Sequence, residues 1–329
     1  MMKLSTMKKV VDTVDHEWRS SLAEEILQNW EYDKGTVYYL RASANFIFIF
    51  KSKGKTRYLR FNDSSERDVA SLQSEMNILL YLNGKELNVV QPVKSLKGNF
   101  VETIETKQGT FHAVVFDELP GQQLETDDLN DDQFHAWGEA LGKLHAVLKK
   151  MPKDFQLNRQ TWENHLETVQ QQLESDDIVV LNELQSVRKW ANGLEKSVHH
   201  YGYIHYDFEM DNLRWNEGSF SALDFDESAC SWYMADIANA VRDLFEEQVD
   251  LSNPSFVKFI EGYKTQTDLD VNLFSDIHGF IRMHKLVLFA KIIRSVNVEE
   301  SQDHPDWLNN LRLKLLNKID SYRSSLVKE

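Results

Sequence analysis

Cysteine, proline and glycine are all scarce in this chain: one Cys, five Pro and thirteen Gly among 329 residues. The lone thiol, Cys230, cannot close an intramolecular disulfide, which fits a reducing compartment and leads us to expect a cytoplasmic protein. So few backbone breakers imply long helices and few extended linkers. No apolar run approaches the roughly 20 residues of a membrane span, so no membrane partner is expected. The opening MMKLSTMKKVVDTVDHEW lacks an uninterrupted apolar stretch and a small-residue cleavage site, and does not read as a secretion signal. Basic residues are in deficit too, with 37 Lys and Arg against 52 Asp and Glu. The net charge of −15 argues against a nucleic-acid partner, whose phosphates demand clustered cations. It is compatible with a cationic substrate, although an acidic surface also serves solubility alone.

What is present changes character along the chain. Residues 36–61 read as strands, with KSKGK as a hairpin turn, and residues 66–83 as a helix with an apolar side. Two further strand-like runs follow, NFVETIE and Phe111–Phe116. DELPGQQL then breaks the pattern, and 131–149 becomes helical, with Phe134, Trp137, Leu141, Leu144 and Leu148 on one face. Helices are also expected near 160–174, 180–200, 235–249, 254–266, 274–296 and 305–326. Residues 203–225 are the exception and read as short extended pieces. The expectation is an α+β chain in two parts: a β-rich lobe with a leading helix over residues 1–118, and a helical lobe over 119–329.

The segment HYDFEMDN (205–212) crowds Asp207, Glu209 and Asp211 into one turn inside the helical lobe, and SALDFDES places Asp224 after a short hairpin. One explanation is a solvated acidic turn with a helix cap. The other is chemical. An Asn212 oxygen and an Asp224 carboxylate are hard ligands suited to Mg2+, which completes its shell with water and phosphate. Asp207 beside them stays free to take a proton from an attacking hydroxyl. Phosphoryl transfer needs that division of labour, since positioning and charge neutralisation supply most of its catalysis.

IHYDFEMDNLRW, SALDFDES and DIANAVRDL together resemble the aminoglycoside phosphotransferase/choline kinase-like family, the small-molecule branch of the protein-kinase-like fold. The resemblance runs from about residue 35 to 295, with softer matches at VFDELPG and LGKLHA. It implies a bilobal fold and transfer of the γ-phosphate of ATP, or of GTP, to a hydroxyl of a small molecule. It also implies Asp207 as the base and Asn212 and Asp224 as magnesium ligands. The backbone of Asp117 and Leu119 would meet the nucleobase edge, with Phe116 behind it. Ser43 and Asn45 would cover the nucleotide. Arg60 would take the strand-lysine position with Glu75 as partner. Two features depart from the family's pattern: Arg60 replaces lysine, and the covering turn lacks G-x-G-x-x-G.

The remaining polar residues have plainer expectations. His205 orients the loop, Asp236 braces it from a helix start, and His145 is a satisfied core histidine. Asp226 and Glu227 either touch the metal shell or substrate or form a polar turn, and Arg282, His284 and Lys285 either face the cleft or, the favoured reading, belong to a structural helix. An amine-bearing acceptor, an aminoglycoside or an amino alcohol, would suit acidic walls built from Glu209, Asp211 and Asp226. The alternatives are a Ser/Thr protein kinase of the same fold and a non-catalytic nucleotide-binding regulator.

Overall fold

In the computed structural model, residues 1–85, 87–152, 158–175, 177–245 and 248–326 are described. Helices α1 (Leu4–Val11) and α2 (Ser21–Leu27) lead into a sheet of β1 (Tyr38–Ala42), β2 (Phe46–Ser52), β3 (Lys55–Asp63), β4 (Pro92–Val93), β5 (Glu102–Thr106) and β6 (Gly109–Asp117). The strands pair antiparallel in the order β1-β2-β3-β6-β4, with β5 also on β6. FIFIF in β2 buries Phe46, Phe48 and Phe50 on one face, as the two-residue period of a strand requires. Lys53 and Gly54 both take positive φ, 52° and 78°, and close the tight β2–β3 hairpin. Helix α3 (Val69–Asn83), capped by Asp68 on the Ser71 amide at 2.8 Å, packs behind the sheet.

The chain leaves the sheet at Asp117 and becomes helical. Helices α4 (Asp131–Leu148), α5 (Trp162–Gln172) and α6 (Ile178–Asn192) precede a small β region. There β7 (Tyr201–Ile204) pairs with β10 (Ala229–Trp232), and β8 (Leu213–Asn216) with β9 (Ser219–Ala222). Then come α7 (Tyr233–Val241), α8 (Pro254–Lys264), α9 (Ile277–Ser295) and α10 (Asp306–Leu326). Helix α9 touches α5, α6, α7 and α10, so it is the axis of this lobe. The helix expected over 235–249 ends at Val241 and tightens into a 3₁₀ turn, Arg242–Leu244; residues 246–247 lie outside the described set.

Chain connectivity and the N-terminal segment both link the lobes. The chain itself crosses at Asp117. In the N-terminal segment the Met2 amide donates to Ser43 O (3.0 Å) in the β1–β2 turn, while Ser5 hydrogen-bonds to Asn297 beyond α9. Arg294 of α9 reaches Glu66 at 2.5 Å.

Helices α4 and α8 cross with their backbones in contact, because Gly138, Gly142 and Gly262 stand at the crossing. A Cβ at Gly138 would lie 1.8 Å from Phe259 O, and one at Gly262 1.9 Å from His135 O. Gly262→Ala is expected to destabilise the protein by at least about 1–3 kcal/mol through overpacking, read as a lower urea midpoint.

Candidate active site

The site is assembled around one buried carboxylate. Asp236, fully buried near the start of α7, accepts the amides of His205 and Tyr206, both at 2.8 Å, and Nε2–H of His145 at 3.0 Å. Tyr206 has φ +73°, an unfavourable conformation for a bulky residue that these bonds sustain. His145 is fixed in turn by Tyr263 Oη at its Nδ1 (2.8 Å). Asn239, one turn along α7, donates to Tyr206 O at 3.1 Å, and Trp137 of α4 donates to Phe208 O at 3.2 Å. His205 points inward: its Nε2–H donates to Leu223 O (3.0 Å) and its Nδ1 accepts the Asp207 amide (3.3 Å). Burial keeps both His145 and His205 below their usual pKa, so both are neutral ligands of the loop.

This framework brings the spaced residues together. Asn212 donates through Nδ2 to Asp207 Oδ2 (2.8 Å) and to Asp207 O (2.9 Å), which leaves its oxygen as the atom that could meet a cation. The Leu223 amide donates to Asn212 O at 3.0 Å, tying the next loop alongside. Asp224, held there at φ 61° and ψ 65°, receives Arg60 Nη1 at 3.2 Å. Arg60 grips Glu75 of α3 with both arms, at 2.9 and 2.5 Å. The pair is buried, and Arg60 also lies 5.1 Å over the Phe116 ring.

The carboxyls of this cluster crowd one another. Burial pushes the Asp224 carboxyl up to about 7; Arg60 opposes the shift, and Asp226, Glu75 and Asp207 add to it. Glu209 is likewise pushed up to about 7, by burial and by Asp207. No cluster of three or more His, Cys, Asp or Glu able to hold a metal occurs among the described residues. One Asn and one Asp are a sparse donor set, which fits Mg2+ completed by water and phosphate oxygens rather than a caged ion.

A cavity of about 410 Å³ opens between the sheet and the helical lobe. Leu40, Ile47, Val90, Phe116, Leu119 and Leu223 give it apolar walls. Arg60, Asp117 and Asp224 reach it, as do Arg41, Tyr58, Gln123 and Arg214, which sequence reasoning did not single out. Ser43 and Asn45 stand elsewhere. Asn45 is buried, donates to Asp226 Oδ2 at 3.2 Å and accepts Asn62 Nδ2 at 2.7 Å, so it is a bracket between the sheet and the Asp224 loop.

The acidic residues expected to line an acceptor wall are mostly compensated. Asp226 pairs with Arg67 at 2.7 Å, Glu209 with Arg242, and Asp211 with Gln123 at 2.8 Å. Glu227 pairs with Arg67 (2.7 Å) and Lys291 (2.6 Å). Arg159, unremarked in the sequence, donates to the carbonyls of Ser228 (2.7 Å), Phe225 (2.9 Å) and Asp226, stapling the loop after Asp224. One signal for Arg242 was present: Asp236, Asn239 and Arg242 fall three residues apart on α7 and its extension, a polar stripe on an otherwise apolar helix. Arg282 turns to Glu183 of α6, at 2.7 and 2.5 Å. His284 stays with its ring 5.8 Å from that of Tyr206.

The model of the phosphotransferase enzyme family matches residues 41–266. The chain belongs to this family. This phosphotransferase is similar to amicoumacin kinase of Bacillus subtilis strain 168, 23% identical over 292 residues that cover 86% of each chain. Among solved structures it resembles an amicoumacin kinase in complex with AMP-PNP, Ca2+ and Ami, with a TM-score of 0.77, 22% identity and coverage of 95% and 96%. A microcompartment-associated aminopropanol kinase follows, with a TM-score of 0.70, 18% identity and coverage of 93% and 94%. The phosphotransferase therefore has the bilobal kinase-like α+β fold. No helix among its described residues is long and apolar enough to cross a membrane.

The phosphotransferase also buries imidazoles close to the site. Burial, aided by Lys291, drives His165 from 6.5 down to about 3, with its ring 4.8 Å from that of Tyr206. Below pH 6.5 the unfolded chain takes up a proton at His165 that the folded protein refuses. Wild type is therefore expected to lose stability relative to His165→Gln, by up to about 1.4 kcal/mol per pH unit as pH falls from 6.5 towards 3. Urea midpoints of both proteins at pH 7.5, 6 and 5 check this. A constant difference between them would mean that His165 titrates normally when folded.

Proposed function

We propose that this phosphotransferase moves the γ-phosphate of ATP to a hydroxyl of a small amine-bearing molecule. The observation that carries this reading is that Asp207 and Asn212, bonded at 2.8 Å, share a loop tied through Leu223 to Asp224, which meets Arg60 at 3.2 Å and lines the interlobe cavity. The nucleobase would lie among the apolar walls, its edge on the backbone at Asp117 and Leu119. Asn212 and Asp224 would hold Mg2+, whose charge screens the phosphates as they react. Arg60 stays charged: burial disfavours its charge, but Glu75, Asp226 and Asp224 outweigh that and raise its pKa. Its arms are shared between Glu75 and the cleft, as a phosphate-pairing cation requires. Asp207 accepts the acceptor's hydroxyl proton, and Asn212 and the loop bonds hold it in place. GTP is the alternative donor.

Compensated acids change the expected acceptor. With Glu209 paired to Arg242 and Asp226 to Arg67, few uncompensated carboxylates remain near Asp207 to attract a polycation. A further cavity of about 220 Å³ opens beside Arg242, with Phe245, Ile281 and Leu288 as apolar walls and Arg242, Lys285, His278, His284 and Asp243 among its polar lining. Asp243, the one carboxylate among the described residues of these walls, offers a single countercharge, which suits one amine more than a polyamine sugar. A peptide acceptor is disfavoured: β10 and α7 follow Asp224 closely, and β10 is paired with β7.

Two measurements test the reading. Asp207→Asn is expected to lower kcat roughly 10²- to 10⁴-fold, the usual contribution of a general base, with nucleotide affinity and thermal midpoint nearly unchanged. Retained turnover in that variant would remove Asp207 from the chemistry. Across an acceptor panel with ATP and Mg2+, amino alcohols are expected to show higher kcat/KM than polycationic aminoglycosides. The reverse order would restore the acidic-wall picture.

A further inference from the structure

Three polar atoms beside the reacting loop are buried without a hydrogen-bond partner among the described residues: Tyr206 Oη, His165 Nδ1 and His284 Nδ1. Tyr206 and His165 are themselves almost wholly enclosed, 3% and 7% exposed. The three residues come from separate elements, the loop before Asp207, α5 and α9, and they meet at one place. The Tyr206 ring lies 4.8 Å from that of His165 and 5.8 Å from that of His284. A buried polar group without a partner gives up its hydration and gains no bond in return, so folding alone does not account for three of them in contact. The histidines that this lobe uses structurally are bonded at both nitrogens: His145 to Tyr263 and Asp236, His205 to Leu223 O and the Asp207 amide.

Each imidazole also forms part of a cavity wall. His284 lines the cavity beside Arg242, whose guanidinium holds Glu209, two residues past Asp207. His165 lines another, of about 280 Å³, together with Glu227 and Lys291. Tyr206 stands against both rings and directly precedes Asp207, so the cluster adjoins the proposed base. The last torsion of a histidine is soft, and a turn about it carries Nδ1 from its buried position to the cavity. Burial holds both imidazoles below their usual pKa and raises that of the phenol, so all three groups are uncharged. The charges nearby are already paired, Lys291 with Glu227 at 2.6 Å and Arg242 with Glu209.

We propose that His165, Tyr206 and His284 form an uncharged subsite of the acceptor pocket, which bonds a second hydroxyl of the acceptor beside the one that is phosphorylated. This rests on the phosphotransfer reading above and narrows its acceptor to an amine that carries more than one hydroxyl. Neutral imidazoles and a phenol together offer donors and acceptors, and a hydroxyl uses both at once, whereas an ammonium only donates. An ammonium here would also meet the like charge of Lys291, whose Nζ stands 5.9 Å from the Tyr206 ring centre. The amine therefore belongs at Asp243 and the hydroxylated part at this cluster. The three residues bind and orient the acceptor, and the proton transfer at Asp207 is separate from them.

The test compares alaninol and serinol, amino alcohols that differ by one hydroxyl, as acceptors with ATP and Mg2+. Wild type, Tyr206→Phe, His284→Leu and His284→Gln are assayed as whole proteins. Wild type is expected to use serinol with a kcat/KM roughly 10- to 100-fold above that for alaninol, which leaves the subsite unpaired. Tyr206→Phe and His284→Leu should each lose most of this preference through a raised KM for serinol, with alaninol little changed. His284→Gln should keep part of it. Tyr206→Phe removes an oxygen without an internal partner, so its urea midpoint is expected at or above that of wild type. A preference that survives in every variant overturns the subsite. So does an equal loss of both acceptors, which would assign the three atoms to a resident water. A wild type that uses alaninol and serinol alike overturns the subsite alone; one that phosphorylates neither overturns it together with the amine-bearing acceptor.

Discussion

The Asp236 carboxylate is the constraint on which the site depends. Placed without solvent exposure, an ionised carboxylate is costly unless its oxygens are satisfied, and here two consecutive main-chain amides and a neutral imidazole do so. Those same bonds bend the chain at Tyr206 into a positive φ and aim Asp207 away from the core. The carboxylate thus converts the stability of α7 into the orientation of a loop. His145, Tyr263 and the α4–α8 crossing extend the chain of fixed contacts to the far side of the lobe. A loop held this way costs little to reorganise when a substrate arrives, because its conformation is already determined.

Charge in this protein is used locally rather than as a field. The acidic total suggested a surface that attracts cations, yet the carboxylates around the catalytic loop each face a guanidinium, an ammonium or an amide. The arginines that do this come from β3, the loop before α3 and the turn after α7. Low dielectric between the lobes makes such pairs sensitive to the loss of either partner. It also makes the raised Asp224 carboxyl a place where one more positive charge is favourable.

The parts legible in the sequence were those with a local period or a fixed spacing. The β-rich runs of 36–61 became β1 to β3, the apolar face of 131–149 became α4, and the residues of H-x-D-x-x-x-x-N came to lie on a loop tied to that of Asp224. What escaped were contacts made at long range. Asn45 read as a covering residue because its partner Asp226 is distant in sequence and near only after the lobes meet. Glu209 read as an acidic wall because Arg242 reaches it only once α7 has folded against the loop. Arg41 was hidden by a bulge, which shifts a strand's facing by one residue and leaves no compositional trace. Helix α7 was overextended since Arg242 and Leu244 are good helix formers, and tertiary contacts rather than propensity tighten the end.

The N-terminal segment joins the two lobes on the side of the β1–β2 turn. With a single crossing at Asp117, closure would be a door on one hinge. Met2 on Ser43 and Ser5 on Asn297 add a second attachment on the covering-turn side. Asn45 and Arg67 on Asp226, and Arg60 on Asp224, tie the lobes together further in. Opening the cleft on that side would break these bonds together.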